Sequence, residues 1–433
     1  MKPLKRGRLE FWLRQVALAP LVRKLRPVIS LAAFVWRRLL FRTTFIAITG
    51  SSGKTTAKEC LGKVLGATAP TFRTPRNFAG PTTTVLNMLR VRPWHRYAVF
   101  EVAVGEPGVM ARGAALVRPD IAVILNVRGT HTTAFRDSEE HAKEKQILLH
   151  YLRRGGVALL FGDDALVTGM GEGLDCKVLR FGLSEGCDYR VVDVRAVWPG
   201  RLRFRITTSS GEHDVRTRLV GEHWAPAIAA VLAAAEIAGV GIPAALGALA
   251  RVEPYAGRLQ PMRLPGGAIM LRDDENSPLN GVELALRVLE TACAARRILV
   301  ISDISDMGMR RVQRLKYLAG AACGIAEVVV LTGRSADYGR RRLIEAGMAP
   351  ENVHAFAAIR DAAMFLREEL RPGDLALIKG RTTDHMARIY FGQLGPVGCW
   401  KEYCSKLMLC DICWELDITP EQAAQATVVP PPA

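Results

Sequence analysis

The run Phe45-Ile-Ala-Ile-Thr-Gly-Ser-Ser-Gly-Lys-Thr-Thr56 constrains this 433-residue chain more than any other segment. An apolar stretch leads straight into two glycines, a lysine and two threonines. A helical pattern then follows, with Ala57, Cys60, Leu61, Val64 and Leu65 on one face. Strand, glycine turn and helix N-terminus together make an anion site. Gly50 and Gly53 let backbone N–H groups curl round a phosphate, and the helix presents its positive end. Lys54 can reach terminal phosphates as a point charge, and the Thr55 hydroxyl can ligate Mg²⁺. Gly50, Ser51, Ser52, Gly53, Lys54, Thr55 and Thr56 are therefore the expected nucleotide contacts. The form is the shorter G-x-x-G-K-[ST], because the first glycine of the longer pattern would be Ile48. No Asn-Lys-x-Asp base-reading motif of a GTPase is present. A Gly-Ser turn with a surface lysine is the bland alternative.

Around this loop the sequence alternates short β-branched runs with helical patterns, which argues for a parallel α/β sheet. Strands are expected at 45–48, 98–102, 121–125 and 157–161. A small antiparallel excursion is expected at 191–197, 202–207 and 214–219, with a turn at Ser210-Gly211. The Ala-rich stretch 225–239 reads as a buried helix. A second alternation, with strands at 268–271, 298–301, 328–331 and 375–378, implies a second open α/β domain. The tail beyond Phe391 fits neither pattern, and Pro430 to Pro432 read as disordered.

Several further segments fall in an order that resembles the Mur ligases of cell-wall synthesis, above all the branch that adds D-alanyl-D-alanine. Asn77-Phe-Ala-Gly-Pro-Thr82 is similar to that family's Asn-x-x-Gly-x-Pro, one residue shorter. Phe100-Glu-Val-Ala-Val-Gly-Glu-Pro-Gly108 resembles the strand whose Glu binds Mg²⁺, which points to Glu101. Asn126-Val-Arg-Gly-Thr-His131 resembles the segment whose His helps to hold a second Mg²⁺. Ser138-Glu-Glu-His-Ala-Lys-Glu-Lys145 resembles the helix whose Lys is carbamylated, with Ser138 expected to cap it. Gly257-Arg258 resembles the Gly-Arg that contacts nucleotide across the domain gap. In Asp273-Asp-Glu-Asn-Ser-Pro278, Asp274 is the expected ribose contact. Leu377-Ile-Lys-Gly-Arg381 resembles a Leu-Val-Lys-Gly-Ser-Arg element. Taken singly, Glu101, His131 and Lys145 read as solvated charges, and Arg258 with Asp274 as a surface pair; the ordered set raises them.

The resemblance implies an α/β fold: a P-loop central domain with a parallel sheet (44–255) and a C-terminal Rossmann-like domain (256–393). A basic segment (1–43) precedes them and a Cys-rich tail (394–433) follows. It implies an ATP- and Mg²⁺-dependent ligase that joins a carboxylate to an amino acid or dipeptide amine through an acyl phosphate. Lys54, His131 and Lys145 would be catalytic. Asn126, Arg258 and Asp274 would join the nucleotide contacts, and Thr55, Glu101, His131 and Lys145 would be the Mg²⁺ ligands. A carbamate at Lys145 supplies a hard oxygen where an ammonium would repel the ion. Three departures stand out. Only the basic segment precedes the phosphate loop here, where the family has a UDP-sugar domain, so a UDP-linked substrate is in doubt. Ala227 stands where an Asn is expected, and the Asp-Asp…Pro segment is shortened and lacks its Tyr. They leave a non-catalytic nucleotide-binding scaffold or regulator as the alternative.

Charge is concentrated at the start. Residues 1–42 hold eleven Lys or Arg against Glu10, a net +10 of the chain's +17. Apolar stretches there are broken by arginines and fall short of a bilayer span. Basic residues interleaved with Phe11, Trp12, Phe34 and Trp36 suit an anionic membrane interface; a basic hairpin packed on the main domain is the other reading. No small-residue cleavage site follows, which argues against a removable signal peptide. Aromatic platforms and a helix-turn-helix pattern are missing, so no nucleic acid is expected. Nine cysteines without a disulfide-type pattern point to a reducing, cytoplasmic setting, peripheral on the inner membrane face under the first reading. Cys399, Cys404, Cys410 and Cys413 could offer four thiolates to Zn²⁺ or an iron–sulfur cluster, or serve as packing in an apolar tail.

Overall fold

The structure is a computed structural model that describes residues 25–76, 79–127, 134–305, 308–402, 404, 406 and 408–432. A nine-stranded sheet forms the first layer system. Its strands are β1 (Thr44–Thr49), β2 (Thr71–Arg73), β3 (Tyr97–Glu101), β4 (Ile121–Ile124), β5 (Val157–Phe161), β6 (Lys177–Gly182), β7 (Tyr189–Arg195), β8 (Arg203–Thr208) and β9 (Gly211–Arg216). The order is β2-β3-β1-β4-β5-β6-β7-β8-β9. β1 lies between β3 and β4, parallel to both, and is buried on both faces. That is why it reads as an uninterrupted apolar run rather than an alternation. Ile46 and Ile48 face a core shared with helices Lys54–Gly66 and Ala225–Ile237. Phe45 and Ala47 face the opposite core, with Ala33 and Leu40 of the first described helix, Arg26–Leu39, and its following residue.

The antiparallel strands are not a separate excursion. β7 pairs in parallel with β6 through Phe181↔Tyr189 and Gly182↔Arg190, so β7–β9 extend the main sheet as an edge meander. The sequence reading missed β2 and β6 because the one is three residues long and the other is half exposed with charged positions. The Ala-rich helix Ala225–Ile237 is buried along nearly all its length, its small side chains letting it lie close to helix Lys54–Gly66.

The second sheet comprises β10 (Gln260–Arg263), β11 (Ile269–Asp273), β12 (Arg296–Ile301), β13 (Val328–Thr332), β14 (Val353–Phe356) and β15 (Asp374–Lys379), ordered β10-β11-β15-β12-β13-β14. All neighbours are parallel except the β10–β11 hairpin. The tail packs against this unit. Arg272, 1% exposed, pairs with Asp274 at 3.0 Å and with Asp411 of the tail at 2.6 Å. The terminus, expected to be disordered, instead runs back along β10. Val428 bridges to Met262, and the Arg201 guanidinium donates to the carbonyls of Val429 and Pro430 at 2.8 and 3.2 Å. Those carbonyls thereby gain a charged donor that a free tail would lack. Among the described residues no helix is long and apolar enough to cross a membrane.

Candidate active site

A cleft of about 300 Å³ opens where the C-terminal ends of β1, β3 and β4 face those of β11 and β15. Its floor is the phosphate loop. Gly50, at φ +154°, sits so close to β4 that a Cβ would come within 2.9 Å of Leu125 Cβ. Gly53, at φ +82°, takes the left-handed turn that starts helix Lys54–Gly66. Asn126, just past β4, holds the loop open: its Oδ1 accepts from the N–H groups of Ser51 and Ser52 at 3.1 and 2.9 Å. Lys54 folds over the loop, donating to Gly50 O at 2.7 Å; burial lowers its pKa, while Glu101 supports its charge. Thr56 also lines the cleft.

Thr55 Oγ1 donates to Glu101 Oε2 at 3.0 Å, and both side chains are buried at the cleft. A hydroxyl and a carboxylate side by side, next to a loop built for phosphate, are the hard oxygen donors Mg²⁺ takes. The donor set therefore fits that ion. Helix Ser138–His150 brings Lys145 and His141 one turn apart, their Nζ and Nε2 atoms 2.5 Å from each other. Lys145 is 1% exposed, and burial, with Lys54 as the next influence, pushes its amine down to about 7. Burial, then Lys145 and Lys54, pushes His141 down to about 4. The helix is capped by Asp137, which accepts from Glu140 N–H, and not by Ser138. His131 lies outside the described residues.

Across the cleft, Arg258 follows Gly257 and pairs with Glu275 at 2.5 Å. Asp274, the expected ribose contact, is turned away from the cleft. It lies just past β11, 2% exposed, with its carboxylate held by buried Arg272, so it points into the domain and lines no part of the cleft. Asp273 lines the cleft instead. β11–β15 register sets it beside Lys379, whose Nζ donates to Asp273 Oδ2 at 2.6 Å and to Asn276 O at 2.8 Å. Lys379, His223, Trp224 and Asn280 are cleft residues that the sequence reading assigned no role. His223 and Trp224 have ring centroids 4.5 Å apart. Ala227 lines the wall where an Asn was expected.

The tail cysteines do not assemble a metal site: among the described residues no three His, Cys, Asp or Glu are gathered to hold an ion. Cys410 is buried, its Sγ 3.4 Å from His385 Nδ1, and burial pushes its thiol up to about 12. Cys399 is buried, whereas Cys404 and Cys413 are half-buried. These thiols are separate positions and not one tetrahedron.

Residues 48–235 match the model of the Mur ligase middle domain, and residues 257–382 match that of the Mur ligase glutamate ligase domain. The UDP-N-acetylmuramoyl-tripeptide–D-alanyl-D-alanine ligase of Escherichia coli (strain K12) is 29% identical over 284 residues, 64% of this chain and 61% of the relative. The Mycobacterium leprae (strain TN) protein of the same name is 27% identical, over 78% of this chain and 70% of its own length. Among solved structures, MurF from Acinetobacter baumannii superposes with a TM-score of 0.78 at 25% identity, covering 84% of this chain and 79% of that one. MurF from Thermotoga maritima, solved in complex with ADP, superposes with a TM-score of 0.69 at 21% identity, covering 84% and 82%.

Proposed function

This chain belongs to the Mur ligase family, and from that premise we propose that it is an ATP-dependent, ADP-forming ligase that joins a carboxylate to an amine as an amide. The observation that carries the reading is the Thr55–Glu101 hydrogen bond beside Lys54 on the phosphate loop. A carboxylate buried against that hydroxyl provides for a Mg²⁺ ion on the phosphates that Lys54 faces.

ATP would set its phosphates at the N-terminus of helix Lys54–Gly66, on the backbone N–H groups of residues 53–55, while Asn126 occupies those of Ser51 and Ser52. Its γ-phosphoryl passes to the substrate carboxylate, giving an acyl phosphate and ADP. The amine then attacks the acyl carbon, the amide forms and phosphate leaves. Lys54 draws the phosphoryl oxygens into line and offsets their growing charge. Asn126 keeps the loop in its anion-binding shape. Thr55 and Glu101 would hold Mg²⁺, whose chemistry is to shield the phosphate charge. His131 and a carbamylated Lys145 would hold a second ion. A lysine pushed down to about 7 holds a large neutral fraction near physiological pH, and the neutral amine is the form that takes up CO₂. Arg258, from the other unit, approaches the nucleotide when the cleft closes and water is shut out.

The relatives' names suggest a peptide carboxylate and a dipeptide amine such as D-alanyl-D-alanine. The chain spans 61% of the Escherichia coli relative's length, so the UDP-linked part of that substrate is not carried over. ATP places the reaction in the cytoplasm. Phosphate release by purified protein with ATP and Mg²⁺, against panels of carboxylates and of amino acids or dipeptides, tests the reading. Release that depends on both partners and yields ADP plus an amide is expected; ATP turnover unaffected by any pair would refute it.

A further inference from the structure

The helix Arg26–Leu39 buries only one side. Ala33 and Arg37 face the sheet, where Arg37 donates to Val117 O and stacks on the Phe45 ring, its Cζ 3.6 Å from the centroid. Val28, Leu31, Val35 and Leu39 fall on the opposite arc at helical spacing, and each is at least half exposed. Phe34 and Arg38 continue that arc, and Phe41 follows at 69% exposed. A groove of about 210 Å³ runs beside it, with Phe34, Phe41 and Leu116 as apolar lining and Arg38, Arg118 and Arg153 as charges. Its lining contains no acidic side chain; Asp120 meets Arg153 from outside the groove at 2.9 Å. An apolar stripe this long is unusual on a water-facing helix, and a basic groove beside it narrows what can cover it.

We propose that this face docks on an anionic phospholipid surface, with the apolar stripe in the acyl boundary and the arginine groove on lipid phosphates. Charge complementarity selects the occupant. Residues 1–24 carry seven Lys or Arg against Glu10, and the whole chain carries +17. That segment, at net +6, and a second copy of the chain both carry the groove's own sign overall, whereas an anionic surface attracts all three basic elements together.

The topology adds an orientation. Phe41, Arg118 and Arg153 lie in connections that enter the N-terminal ends of β1, β4 and β5, while the cleft lies beyond the C-terminal ends of these strands. With six residues in β1 at about 3.3 Å each, the docked face and the cleft stand roughly 20 Å apart. The bound protein therefore holds its cleft toward the aqueous side.

Flotation of the full chain with vesicles of phosphatidylcholine, with and without phosphatidylglycerol, tests this by binding alone, so its outcome is independent of the ligase reading. Co-flotation is expected only with phosphatidylglycerol and should weaken with salt. Arg118→Glu should lower partition roughly thirtyfold, from about 1 kcal/mol per basic residue lost and again for the acidic one gained. Arg251→Glu, exposed on the opposite face of the sheet, makes the same change in net charge and should lower it far less. Val35→Asp should lower it as well, with an unchanged melting temperature and mass in solution. Equal flotation by Arg118→Glu and Arg251→Glu would overturn the proposal. A drop in melting temperature for Val35→Asp would show that the chain's own residues cover the stripe, and a change in its mass would show a second copy there; either also overturns it.

Discussion

Asp273→Asn should weaken the second unit sharply. Lys379 is 2% exposed, its ammonium held by the Asp273 carboxylate at 2.6 Å and by Asn276 O. Burial depresses this lysine's pKa, and Asp273 is the main influence opposing that burial. An amide in place of the carboxylate removes that support and leaves a cation in a site with little water. Breaking a buried pair from one side costs about 3–5 kcal/mol. At about 2–4 °C per kcal/mol for a unit of this size, the lower figure alone shifts melting by roughly 6–12 °C. Asp273→Asn/Lys379→Met removes both charges and should recover most of the loss, a coupling of about 2 kcal/mol or more. Circular-dichroism melts of the parent, both single variants and the double variant measure it. ATP binding by calorimetry should stay weak in the double variant, because Lys379 lines the cleft. A melting point for Asp273→Asn within about 1 °C of the parent, or a double variant no more stable than Asp273→Asn, would refute the buried-pair argument.

Lys54→Ala should abolish ATP-dependent ligation with melting unchanged, checked by product formation and by a melt. Thr55→Val should raise the Mg²⁺ concentration needed for half-maximal phosphate release, because Glu101 then lacks its hydroxyl neighbour; an unchanged Mg²⁺ dependence counts against the ion site. Lys145→Ala should lower turnover far more than ATP affinity, and short carboxylates added to the assay should restore part of it; activity equal to the parent's would leave Lys145 a structural residue. In the native protein Cys404 and Cys413 should react with a thiol reagent before Cys399 and Cys410, which are buried; mass spectrometry of the labelled protein reads the order.

The strongly periodic and apolar parts of the fold were legible because their burial is two-sided: β1, β3, β4 and β5 could be placed from composition alone. β10 and β14 were not, since each is a four-residue edge strand with only partly buried positions among its residues. At the cleft, the Thr55–Glu101 pair followed from motif order. The choice between Asp273 and Asp274 did not, because it depends on strand parity: Leu271 and Asp273 share one face of β11, Arg272 the other. The buried partner of Asp274 is Arg272, and their anchor Asp411 lies 139 residues away in a tail that no motif connects to the site. Between the metal and packing readings of that tail the sequence could not decide for a related reason, since cysteine spacing says nothing about whether the chain curls on itself or lies along a neighbour.

The last described residues have a mechanical consequence. Arg201 belongs to the loop between β7 and β8 of the first sheet, yet it grips Val429 and Pro430, while Val428 is stitched to β10 of the second. Cys293 N–H, from the second unit, also donates to Trp198 O of the same loop. These attachments act as a strap along one margin of the two-unit body, so closing movements must pivot there and the opposite margin must travel farthest. A bulky fusion placed directly after Pro430 would load the pivot itself, whereas one at the other end of the chain would leave it free to turn.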